Sequence, residues 1–148
     1  MSAGAIAFFI ERKAIKVILL LQNKPGAEVL DIGPKGKVNR GENVIAAAHR
    51  EVREELGVPL HIDTNFRETE EYEFDKEDSK GRKQKIKKEV VYFIAYLSPK
   101  DRKQISLSEE HKKYYLLPID EAVDKAQYAN QKRILQDAKD YITLKYLT

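Results

Sequence analysis

The 148-residue chain has no cysteine and no tryptophan, and a single methionine. Without cysteine there is no disulfide framework, no thiolate zinc or iron–sulfur site and no cysteine nucleophile. No apolar run approaches the roughly 18 residues that span a bilayer. Residues 1–10 lack the basic start of a signal peptide before Glu11-Arg12-Lys13 interrupts them. The expectation is a soluble, cytoplasmic protein with no membrane partner. Net charge is scarce too: 27 basic and 24 acidic side chains leave +3, although 34% of the chain is charged. Such balance argues against a polycationic nucleic-acid binder and against an acidic disordered tail. Abundant Lys and Glu with little Met also suit a thermophile.

The apolar content, 42%, is enough for one core, and residues 1–148 read as one domain. Residues 5–10 and 16–21 are apolar runs rich in β-formers and predict two buried neighbouring strands. Pro25-Gly26 marks a turn, 28–32 a short strand, and Gly33-Pro34-Lys35-Gly36 a loop. Residues 43–56 predict a helix, with Asn43 as N-cap, Gly57 at the C-terminal left-handed position and Ile45, Ala48, Val52 and Leu56 as an apolar stripe. A strand over 58–62 follows. Residues 68–78 hold seven acids and one base, and 80–88 hold six bases and no acid. With a turn at 78–81 they predict a hairpin of attracting, largely solvated charges. Residues 89–97 predict a strand, 99–104 and 108–111 loops, 114–118 a last strand, and 119–126 and 130–144 amphipathic helices. The fold class is α/β, a mixed sheet flanked by helices in an α-β-α sandwich.

Chemistry concentrates on the first helix. Glu51, Glu54 and Glu55 stand at i, i+3 and i+4, so their carboxylates share a face and repel by a few tenths of a kcal/mol per pair. A hard divalent cation with oxygen ligands compensates them naturally; Arg50 can orient part of the cluster but not neutralise all of it. His49, His61 and His111 do not suggest a zinc site.

From Gly36 to Val58 the chain reads G-x5-E-x7-R-E-U-x-E-E-x-G-U, with U a bulky aliphatic. This resembles the Nudix box at every defined position. The resemblance implies a Nudix fold and a Mg²⁺-dependent hydrolase, with Mn²⁺ as the alternative ion, cleaving a nucleoside diphosphate linked to another group. It makes Glu51, Glu54, Glu55 and the Gly36 carbonyl metal ligands, with Arg50 and Glu42 fixing the loop to the helix. Outside the box, Gly33-Pro-Lys-Gly-Lys-Val38, Leu107-Ser-Glu-Glu-His111, Tyr114, Leu117, Glu121-Ala122 and Ala126-Gln-Tyr128 are similar to the asymmetric diadenosine tetraphosphate hydrolases. That likeness implies Glu110 as a further metal ligand or base, Lys35 and Lys88 as phosphate contacts, and Tyr72 and Tyr128 as a sandwich for adenine; Lys37, though a departure from the pattern, also suits phosphate contact by its charge. The chain departs from the pattern at Leu30-Asp31, where those enzymes commonly carry His-Trp, at Lys37 in place of the box histidine, and at Arg40 in place of a proline. The expected partner is a small nucleoside polyphosphate, cleaved to ATP and AMP if it is the tetraphosphate. Nucleoside triphosphates (oxidised ones included) and ADP-ribose are the rival substrates, and a non-catalytic nucleotide- or RNA-binding module is the rival class.

Overall fold

Period-two alternation in the first strand sets the architecture. Ala3, Ala5, Ala7 and Phe9 face one way into one core cluster, and Ile6 and Phe8 face the other way into a second. A computed structural model describes residues 1–147; Thr148, the last residue of the expected domain, lies outside them. The elements are β1 (Ser2–Glu11), β2 (Ala14–Gln22), β3 (Leu30–Asp31), β4 (Lys35–Lys37), α1 (Val44–Leu56), β5 (His61–Glu77), β6 (Lys83–Tyr96), α2 (Pro99–Arg102), β7 (His111–Pro118), α3 (Ile119–Lys125) and α4 (Ala129–Tyr146). The sheet runs β3-β2-β1-β6-β5, with β4 added to β1 and β7 to β2. Only β1 and β6 among these pairs are parallel, so the sheet is mixed. α1 covers one face, over Ala47, Ala48, Val52 and Leu56; α3 and α4 cover the other, through Ile119, Ala122, Ile134, Leu135, Ala138 and Ile142. This is the expected α-β-α sandwich. Among the described residues no helix is long and apolar enough to cross a membrane.

Several boundaries differ from the sequence reading. Ile45 is 40% exposed and leaves the apolar stripe, while Ala47 is fully buried. The reason is β1, whose alanines let α1 approach closely on its small side chains. The strand expected over 28–32 shrinks to Leu30–Asp31, and the glycine loop contains β4, paired at Ser2↔Lys37, Ala3↔Gly36 and Gly4↔Lys35. Here β1 and β2 diverge, and residues 30–37 fill the fork backbone against backbone. The Ala5 N–H donates to the Pro34 carbonyl (3.0 Å), and a Cβ on Gly4 or Gly33 would collide with the opposing main chain. The strand expected at 58–62 begins only at His61 and runs on as the long β5. The polar 99–104 segment holds one helical turn, closed by a capping box between Ser98 and Asp101. The charged hairpin forms as predicted, turning on Asp78, whose carboxylate accepts from the Lys80 and Arg82 N–H groups (2.9 Å each).

The α4 layer is pinned to the sheet at one buried acid. Asp63 Oδ2 accepts from Tyr141 Oη (2.9 Å), Lys145 Nζ (2.8 Å) and Tyr146 Oη (2.8 Å), while Oδ1 accepts from the Asn65 N–H (3.0 Å). Burial opposes ionisation, but the donors, Lys145 first, outweigh it and hold the carboxyl down at about 2. A folded pKa below the unfolded one gives stability that is present above about pH 4 and lost as pH falls through about 2. Asp63→Asn is therefore expected to cost about 2–3 kcal/mol at neutral pH. Urea titrations of the two proteins should converge as the pH approaches 2.

Candidate active site

Asn43 opens α1 by accepting from the Ala46 N–H (2.8 Å), and Gly57 closes it with φ of 72° and an N–H bond to the Arg53 carbonyl. The helix thereby lies with Val52 and Leu56 inward and Glu51 and Glu55 at the border of its buried face, only 8% and 3% exposed, while Glu54 is exposed. Gly36 in β4 rests on Glu51, and a Cβ there would overlap the Glu51 carboxylate.

One guanidinium organises this loop and helix. Arg50 Nε and Nη2 donate to both oxygens of Glu42 (2.9 and 3.0 Å), Nη1 donates to Glu51 (2.7 Å) and Glu54 (3.3 Å), and Nη2 also reaches the Lys37 carbonyl (2.8 Å). This planar fork is chemistry that Lys cannot reproduce. Arg50, with the Asn39 N–H, holds the Glu42 carboxyl down at about 2. Burial pushes the Glu51 carboxyl up despite Arg50, and Glu54 and Glu110 push the same way.

Glu55 has less help. Its Oε2 accepts from the Lys35 N–H (2.9 Å), yet burial pushes its carboxyl up to about 9, with Glu110 in hydrogen-bonding contact and Glu51 nearby adding to the rise. Glu110 arrives from the loop before β7. The Asn23 N–H donates to its carbonyl (2.7 Å), Asn23 Nδ2 donates to the Glu109 carbonyl (3.1 Å), and buried His111 Nε2 pairs with Asp31 Oδ2 (2.8 Å). Four carboxylates thus meet beside one compensating cation. Among the described residues no three acidic or histidine side chains are gathered into a finished ligand cage; Glu51 and Glu54 turn to Arg50, and Glu55 and Glu110 to one another.

Two clefts open onto this place. The smaller, about 340 Å³, is bounded by Glu55, Glu110, His111 and Lys24; the larger, about 610 Å³, by Tyr72, Phe74, Tyr128, Glu70 and Gln131. Gln22, Asp31 and Lys35 line both, so the two adjoin at the mouth of the β1–β2 fork. Of the expected site residues, Glu55 and Glu110 line the smaller cleft, Lys35 lines both, and Tyr72 and Tyr128, 42% and 60% exposed, line the larger; Arg50, Glu51, Glu54 and Gly36 sit beside Glu55 on α1 and β4 without lining either cleft. Lys37 is not brought in, and Lys88 reaches no further than the rim of the larger cleft, beside Phe74. Neither is among the residues lining the clefts; Lys37 contributes its carbonyl to Arg50, and the Lys88 ammonium lies over the Phe74 ring (5.9 Å).

Sequence reasoning missed Asp31, Glu70, Phe74 and Gln131. Asp31 is buried between Gln22 Nε2 (2.9 Å), His111 and the Lys35 ammonium (4.0 Å), a place fixed by the fork rather than by any local pattern. Glu70 counts as one of seven solvated acids in composition, but it is 5% exposed. Its signal was the alternation Glu68, Glu70, Tyr72, Phe74, which puts it on the aromatic face of β5. Gln131 lies one turn into α4, and its buried Oε1 has no hydrogen-bond partner in the described structure.

Residues 1–138 match the NUDIX domain family. The chain is 34% identical over 112 residues to the rat bis(5'-nucleosyl)-tetraphosphatase (asymmetrical), covering 74% of this chain and 69% of that one. The mouse protein of the same name is 36% identical over the same coverage. The crystal structure of a Caenorhabditis elegans Ap4A hydrolase binary complex superposes with a TM-score of 0.79, at 27% identity and 96% coverage of both chains. A NUDIX hydrolase structure from Listeria monocytogenes, at 17% identity and a TM-score of 0.67, shares the fold.

The raised Glu55 carboxyl has a consequence that a denaturation experiment reads directly. Its folded pKa lies above the unfolded one near 4.3, so the associated stability is complete below about pH 4 and lost as pH rises toward 9. Without divalent cations, Glu55→Gln is expected to exceed the unsubstituted protein by about 1–3 kcal/mol at pH 8 and to equal it at pH 4. Urea unfolding at the two pH values checks this, and equal stability at both would show the carboxylate to be well accommodated.

Proposed function

The chain belongs to the NUDIX family of hydrolases, and on that footing we propose that it is a divalent-cation-dependent pyrophosphohydrolase, acting as a single domain, that cleaves diadenosine tetraphosphate asymmetrically to ATP and AMP. The observation that carries the reading is that the two clefts adjoin, with Lys35 and Asp31 lining both. An aromatic end suited to a base and an acidic end suited to a metal-bound polyphosphate are joined by one lysine. The rat and mouse relatives, named as asymmetrical tetraphosphatases, and the C. elegans Ap4A hydrolase support the same substrate.

The donor set fits a hard cation. Glu51 and Glu55 are pushed toward neutrality by burial and by neighbouring carboxylates, an excess of negative charge that a divalent ion relieves. Glu51, Glu54, Glu55, Glu110 and the Gly36 carbonyl would hold Mg²⁺ or Mn²⁺. Bound there, the ion neutralises polyphosphate oxygens and makes water a stronger acid at neutral pH. The protein's own groups do the remaining work. Tyr72 and Tyr128, which both line the larger cleft, hold an adenine there. The Lys35 ammonium, held by Asp31, meets the phosphates where the clefts join. Glu42 and Arg50 keep β4 and α1 in register, so that Glu51 and Glu55 do not drift apart. Glu110, on its pinned loop, takes the proton of the attacking water. The anhydride bond between the terminal nucleotide's phosphate and the other three breaks. The oxygen of water stays on one fragment and the bridging oxygen leaves with the other.

A substrate panel tests this, comparing diadenosine tetraphosphate, nucleoside triphosphates and ADP-ribose, with products separated by chromatography. ATP and AMP are expected from the tetraphosphate, with turnover abolished by EDTA and restored by Mg²⁺. Glu55→Gln should lower kcat by roughly a hundredfold or more. A panel in which the tetraphosphate is the poorest substrate overturns the assignment.

A further inference from the structure

The charged hairpin has two unlike faces. The register Glu73↔Lys87, Asp75↔Lys85 and Glu77↔Lys83 places the charges on one face, with Lys85–Glu73 and Lys87–Glu71 pairs at 3.7 Å. The opposite face carries Tyr72↔Lys88, Phe74↔Ile86 and Lys76↔Gln84. That second face is turned to the larger cleft, which both Tyr72 and Phe74 line. Phe74 leaves 38% of its surface exposed, its ring lies 6.4 Å from that of Tyr72 at 31°, and the Lys88 ammonium stands 5.9 Å from its centroid.

A large aromatic exposed to water at the rim of a cleft is a costly way to build a protruding hairpin unless something covers it. One base needs two rings, and Tyr72 and Tyr128 supply them. Phe74 is a third ring on the same cleft, with a cation beside it, and the substrate proposed above carries a second base and further phosphate charge. We propose that Phe74, flanked by Lys88, is a stacking subsite for the second nucleoside of a dinucleoside polyphosphate. The inference rests on the dinucleoside reading of the preceding subsection. Base–aromatic stacking accepts any base, so this subsite selects for the presence of a second nucleoside rather than for its identity. The charge pairs on the other face hold the strand in register, so the platform is ordered before substrate arrives.

The test compares kcat/KM for diadenosine tetraphosphate with that for adenosine 5'-tetraphosphate, which has the same phosphates and one base. The ratio of the two is expected to fall about tenfold in Phe74→Ala. Phe74→Leu, which keeps apolar bulk in the strand, should show the same fall, and Phe74→Tyr should retain the original ratio; thermal melts establish that each variant folds. An unchanged ratio in Phe74→Ala and Phe74→Leu, while the unsubstituted enzyme cleaves diadenosine tetraphosphate, overturns the subsite and leaves the proposed function standing. Cleavage only of single-base substrates by the unsubstituted enzyme overturns the dinucleoside reading and the subsite with it.

Discussion

The contest between five carboxylates and one guanidinium governs this site. Arg50 is shared among Glu42, Glu51, Glu54 and the Lys37 carbonyl, and through them it ties β4 to α1. Its hydrogen-bonding capacity is spent on that task. Glu55 and Glu110 are left with each other and a single backbone N–H. The fold therefore carries an unbalanced acidic pair where the proposed chemistry places a cation, and accepts the instability that goes with it.

Position follows from backbone geometry more than from side chains. Because β1 and β2 part company after a few residues, a second layer of chain, β3 to β4, slips into the fork, and it fits only where Gly4 and Gly33 present no Cβ. Asp31 and Lys35 are carried into the middle of the site by that insertion, and Gly36 is set against Glu51. The alanine face of β1 draws α1 close from the same side. The placing of Asp31, Lys35 and Gly36 against the glutamate-bearing helix is thus a consequence of one forked strand pair.

Much of this was legible beforehand. Asn43 and Gly57 bracket α1 within a residue, since caps are local chemistry, and the spacing of Glu51, Glu54 and Glu55 needed only helical periodicity. The apolar runs marked β1, β2 and β6 for the same reason. What escaped reading depended on partners distant in sequence. β4 exists because β1 is beside it, Ile45 is outside because Ala47 fits β1 better, Lys37 is tied through its carbonyl to Arg50, and Lys88 stands beside Tyr72 and Phe74 because β5 pairs there with β6. Glu70 shows the other kind of miss: counting charges grouped it with its neighbours, whereas alternation along β5 separates it from Glu71 and Glu73. Asp31, second of the Leu30-Asp31 pair at which the chain departs from the tetraphosphatase pattern, serves His111 and Lys35, a role invisible until the fork is known.

The hairpin ends the sheet with β5, whose outer edge has no strand beside it among the described residues. A long open edge bearing Tyr72 and Phe74 is an invitation to another chain. The acids at 71, 73, 75 and 77 answer it. Antiparallel pairing of two such edges would set carboxylate against carboxylate along the whole strand, while each chain's lysines stay occupied on the inner side. The same residues whose charges vanish in the overall sum therefore disfavour pairing between two such edges, and they do so on the face of β5 opposite its aromatic rings.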